Sequence, residues 1–133
     1  MSYDIRNGTL LAVAIALLLN VLVFLIGRFG FNVTPSVAQD PSPVSLIAVI
    51  LITLITTISA GLIFWLLQRS SASFVQIFLW LAAIVALLSL YPVYTLAIGQ
   101  ASFFSLGLMH VFTAASAVYG LLYFSRCENC EEA

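Results

Sequence analysis

From residue 41 to residue 125 the chain contains no Asp or Glu, and it has no Lys at any position. Such a stretch cannot supply the surface of a water-soluble globule. Charged residues make up 7% of the 133 positions, against about 25% in a typical soluble domain. Apolar residues account for 63%, and the mean hydropathy is +1.19. These values exclude an ordinary soluble fold, a disordered tail and a nucleic-acid binder. A net charge of −1 gives no steering toward nucleic acid or anionic lipid. What remains is an integral membrane protein in contact with the lipid bilayer.

A membrane-crossing helix takes about 20 apolar residues, and four runs meet that length, at about 7–27, 44–68, 74–98 and 103–125. They must be helical, because an open strand in lipid leaves backbone groups unpaired. Little chain remains for anything else, so residues 1–133 are read as one integral membrane domain. The first run is longer than a signal-peptide core and is read as a retained anchor. Residues 29–43 form the one long loop, where Pro35, Pro41 and Pro43 prevent helix. Ser70-Ser71-Ala72-Ser73 and Gly99-Gln100-Ala101-Ser102 read as short polar turns. Short turns make sequential helices antiparallel neighbours, so the expected fold is all-α, a four-transmembrane-helix antiparallel up-down bundle.

Arginine placement sets the expected orientation. Arg6, Arg69 and the start of the tail 126–133, at Arg126, fall on one side, and Arg28 falls on the other. By the positive-inside rule both termini are expected in the cytoplasm, as in a bacterial inner-membrane protein. Trp65, Tyr123 and Phe124 fall near the cytoplasmic ends, as an interfacial belt would, and Trp80 is expected deeper, nearer core packing.

Lipid gives helices no hydrophobic reason to meet, so small residues at helical spacing mark contact faces. The first run has Gly8, Ala12, Ala16 and Asn20; the second has Thr53, Thr57 and Gly61. The third has Ala82, Ala86 and Ser89; the fourth has Gly107, His110, Ala114 and Ala117. Depth then places several polar groups together. At 1.5 Å per residue, Asn20 and His110 both lie roughly 10–12 Å below the outer boundary. Thr53 and Ser89 fall near that level, and Tyr91 slightly higher.

Asn20, Thr53, Ser89, Tyr91 and His110 are therefore the candidate ligand-binding set. His110 is the only His, and an ionisable group inside a membrane is a functional candidate by default. The plainer alternative is a neutral imidazole bonded to Asn20 or Thr53, serving packing alone. No cofactor is expected, and pigment or haem contact at His110 stands as the alternative. Pro92 should kink the outer end of the third helix.

Cys127 and Cys130 have the spacing of a redox or metal pair, but zinc needs two more ligands. No metal site is expected, and no catalytic residues: Ser-His-Asp, His-Glu-x-x-His and Gly-rich phosphate patterns are missing from the sequence. The spans carry no carboxylate for coupled ion transport. The chain is accordingly not expected to be an enzyme.

Four short stretches carry a family likeness. They are Leu18-Leu19-Asn20 with Gly27-Arg28; Pro41-Ser42-Pro43-Val44; Leu88-Ser89-Leu90-Tyr91-Pro92; and Leu108-Met109-His110. In their order the chain resembles an uncharacterised family of short bacterial four-helix integral membrane proteins, a domain of unknown function. The resemblance implies a four-span bundle and no established activity, and it does not extend to the cysteine-containing tail.

Three functions are consistent with these readings. The first is a non-enzymatic accessory or structural subunit of a larger membrane assembly, with other membrane subunits or a second copy as partner. The second is a small-molecule, lipid or pigment-binding module with an outer-leaflet pocket around His110. The third is a homodimeric channel or transporter.

Overall fold

A computed structural model describes residues 2–30, 36–37, 40–70, 72–96 and 99–127, with side chains described for 5–30, 44–70, 72–95 and 100–123. Helix α1 spans Ser2–Leu25 and ends in a π turn, Ile26–Gly30. Helix α2 spans Leu46–Ser70, α3 spans Phe74–Leu96 and α4 spans Gly99–Cys127. All four are long and apolar enough to cross a membrane, so the protein is an all-α integral membrane protein.

Several boundaries differ from expectation. Gly99-Gln100-Ala101-Ser102 is not a turn but the first turn of α4, with Ser102 buried. The expected loop at 29–43 begins inside the π turn and holds a short antiparallel strand pair, β1 (Ser36–Val37) with β2 (Asp40–Pro43). Pro lacks a donor but tolerates extended backbone, so Pro41 and Pro43 sit in β2 rather than at a helix start. Helix α2 instead starts from Ser45, whose Oγ accepts the Ala48 amide at 3.1 Å, an N-cap bond. Pro92 lies within α3, and the helix runs on to Leu96.

Helix α1 is the spine. Gly8, Ala12, Ala16, Asn20 and Phe24, each four apart, are all buried. Opposite them on α2 are Val49, Thr53, Thr57, Gly61 and Phe64, also buried. Contacts run in opposite order along the two helices: Thr9 faces Gly61, and Phe24 clusters with Val49. The same holds for α1 and α4, where Gly8 and Ala12 face Gly120 and Phe24 meets Met109.

At the α1–α4 crossing the backbones nearly touch. A Cβ on Gly120 would lie 2.7 Å from the Ala12 nitrogen and 2.8 Å from its Cα. Only glycine allows that approach, and close approach is what van der Waals packing in lipid rewards. Several hydroxyls bond within their own helix: Thr57 donates to the Thr53 carbonyl at 2.7 Å and Ser59 to Ile55 at 2.7 Å.

Helix α3 is attached differently. Among its described side chains only Phe78 and Val93 are buried. At its start, Phe64 of α2 meets Phe74 and Phe78 edge-on, with ring centroids 5.4 and 4.9 Å apart, beside Leu121 of α4. At its far end Tyr94 meets Phe103 of α4 edge-on at 6.2 Å. Trp80 does not pack in the core as expected: it is 70% exposed. It stands two residues from Ala82, about 200° around the helix from the face turned to the bundle.

Candidate functional site

Large aromatic rings hold α3 at both ends, and between them Leu81 and Val85 flank a line of small residues at the inner face. Ala82, Ala86 and Ser89 are half-buried there and line a cavity of about 390 Å³ between α2, α3 and α4. The wall of α4 is His110, Thr113, Ala114 and Ala117, with Thr56, Ser59 and Ala60 on α2. Asn20 of α1 closes the cavity from behind the gap between α2 and α4. The volume falls in the range of small-molecule sites, about 300–1,000 Å³. Among the described residues no Asp, Glu, Lys, Arg or Cys lines it.

Four of the five expected residues, Asn20, Thr53, Ser89 and His110, lie on this one wall. Tyr91 does not: it is 70% exposed and off the cavity. It shares a depth with Ser89 but stands about 200° away around the helix. The small-residue stripe of α4 also divides. His110, Ala114 and Ala117 line the cavity together with Met109; Gly107 is half-buried off the cavity, and Ser116 and Gly120 are buried away from it.

Asn20 is 2% exposed and ties three helices together. Its Nδ2 donates to Thr53 Oγ1 at 2.9 Å and to Thr113 Oγ1 at 2.8 Å. Thr113 can only accept in this bond, because its own hydroxyl donates to the Met109 carbonyl at 2.8 Å. That fixes the amide orientation and leaves Asn20 Oδ1 enclosed without a donor.

His110 makes neither of the bonds expected of it. Its Nδ1 lies 2.8 Å from the Leu106 carbonyl oxygen, one turn back on its own helix. A carbonyl only accepts, so Nδ1 carries a hydrogen, and in the Nδ1–H tautomer Nε2 is the acceptor.

Thr113 was missed from the sequence although its signal is plain: it follows His110 by three residues and so shares its face. The spacing Gly107, His110, Ala114 passes over it, although Thr113 lies between the last two. A second apolar hollow lies across Ala82, Ala86 and Ala114, lined also by Tyr119 and Tyr123, whose rings lie 5.9 Å apart. Of the tail pair, Cys127 closes α4, and Cys130 lies outside the described residues.

No curated protein and no solved structure matches the chain. A family model does match, over residues 3–126, nearly the full length and all four helices. The chain therefore belongs to DUF6069, a family of unknown function.

Proposed function

We propose that this small membrane protein holds an apolar molecule or lipid chain within the membrane, in the cavity between α2, α3 and α4. The observation that carries the reading is the cavity itself: about 390 Å³, apolar over most of its wall, with Asn20, Thr53, Ser89 and His110 converging on it. Apolar walls with a few placed polar groups are what small-molecule sites consist of. Binding rather than catalysis fits a wall whose described residues include no carboxylate, thiol or amine. The exposed flank of α3, with Trp80, Leu87 and Leu88, suits lipid as well as a neighbouring subunit, so it does not favour the accessory-subunit reading. The arginine distribution supports an orientation with both termini in the cytoplasm, and with it an outer-leaflet cavity.

The test is photo-crosslinking in nanodiscs with a diazirine-bearing dodecane, mapped by peptide mass spectrometry. Adducts should concentrate on α3 and α4 peptides containing Ala86 and Met109, and Ala86→Phe should remove them. Leu87→Phe, on the exposed side of α3, should leave them in place. Adducts spread evenly over exposed residues such as Leu62 and Leu87, unaltered by Ala86→Phe, would overturn the reading.

A further inference from the structure

The hydrogen-bonding inventory of the cavity wall is lopsided. Ser89 donates to the Ala86 carbonyl at 2.7 Å, Thr56 to Ile52 at 2.8 Å, Ser59 to Ile55 at 2.7 Å and Thr113 to Met109 at 2.8 Å. Asn20 commits both amide hydrogens to Thr53 and Thr113. His110 commits its Nδ1 hydrogen to Leu106. Two good acceptors are left over: Asn20 Oδ1, on a side chain 98% buried, and His110 Nε2. Among the described residues neither receives a donor from the protein. Only the Thr53 hydroxyl has an uncommitted hydrogen.

Asn20 Oδ1 is enclosed without a donor, which costs free energy, and the half-buried His110 Nε2 stands on the same wall, so the wall is suited to something that brings a hydrogen. Charge narrows the class. Among the described residues the wall has no cation to neutralise a phosphate or carboxylate and no anion to hold an amine. The apolar remainder of the cavity calls for a hydrocarbon body.

Resting on the binding reading above, we propose that the occupant is a neutral lipid with a free hydroxyl, its O–H donated to His110 Nε2. Asn20 Oδ1, a second acceptor on the same wall, is served by a second hydroxyl or by a water carried in with the first. The Thr53 hydroxyl is the donor that can answer the ligand's oxygen. The class is that of membrane alcohols; ethers, esters and fatty-acid anions of the same length are rejected because none donates to Nε2.

The experiment uses the full chain in nanodiscs and competes the diazirine-dodecane adducts with three probes of matched length: dodecan-1-ol, 1-methoxydodecane and dodecanoate. A site built to bond a hydroxyl discriminates against the analogue lacking it, so the alcohol should compete at a concentration about tenfold or more below the ether. Dodecanoate should compete no better than the ether. A single His makes the second readout unambiguous. With ¹⁵N-histidine labelling, the Nε2 resonance should move on adding the alcohol and stay in place with the ether, while Nδ1 remains protonated throughout. His110→Phe should keep the cross-link and lose the preference for alcohol over ether. Equal competition by alcohol and ether, or an unmoved Nε2, would overturn the hydroxyl assignment and leave the binding reading standing. Evenly spread adducts that no probe competes would overturn both.

Discussion

Gly120→Ala is the sharpest single test of the helix arrangement. The new Cβ would lie 2.7 Å from the Ala12 nitrogen, 2.8 Å from its Cα and 2.8 Å from its Cβ. Two of those three atoms are backbone in the middle of α1, so no side chain can swing aside. Overpacking of this sort costs about 1–3 kcal/mol, and the rigidity of the contact places it near the top. Replacing a mid-helix Gly by Ala returns up to about 1 kcal/mol of propensity. The net expectation is a loss of about 2–3 kcal/mol. Gly107 supplies the control, because a Cβ there meets only Leu90 Cδ2, at 3.8 Å, an ordinary contact. Gly107→Ala should therefore be neutral or stabilising by up to about 1 kcal/mol. Titrating bicelle-reconstituted protein with SDS, followed by circular dichroism, measures both. If Gly120→Ala unfolds at the same SDS fraction as Gly107→Ala, the α1–α4 crossing is not where it is described.

Three further outcomes follow from the same contacts. Gly61→Ala should lose stability against the Thr9 side chain, whose Oγ1 would stand 2.5 Å from the new Cβ, and Thr9→Ala should restore most of it in a double-mutant cycle. Thr113→Val should cost about 0.5–2 kcal/mol in the same titration by leaving one Asn20 hydrogen without an acceptor, and Asn20→Leu a comparable amount. Phe64→Ala should cost about 3–5 kcal/mol and free the start of α3, read as a selective rise in amide exchange over Phe74–Leu81. Purified protein should show no visible absorption band; a Soret band lost in His110→Ala would contradict the hydroxyl-lipid assignment.

The legible parts of this molecule are those where helical periodicity alone decides. Gly8, Ala12, Ala16 and Asn20 repeat every four residues, and that spacing puts them on one line whatever α1 packs against; all four are buried. Depth along the membrane was equally readable, since it depends only on rise per residue, and it grouped Asn20, Thr53, Ser89 and His110 at one level. Azimuth was not used with the same care. Tyr91 shares the level of Ser89 but not its face, and phase alone would have set it aside.

Helix α4 shows a limit of a different kind. It carries two inward faces, one with His110 and Ala114 at the cavity and one with Gly120 against α1. Small residues mark both, and spacing does not say which neighbour each face meets. The cavity itself was not legible, because it depends on how aromatic rings meet across the two connections flanking α3: Phe64 with Phe74 and Phe78, and Tyr94 with Phe103, hold α3 at its ends. Small residues between those rings would ordinarily draw helices together. Here the bulk at either end keeps Ala82 and Ala86 off the opposing wall.

The most direct measurement is a density map of the protein in a lipid nanodisc, at a resolution that separates side chains. The account predicts elongated non-protein density between α2, α3 and α4, ending within hydrogen-bond distance of His110 Nε2. Ala82 and Ala86 packed directly against Ala60 and Ala117, with no space beside His110, would contradict it.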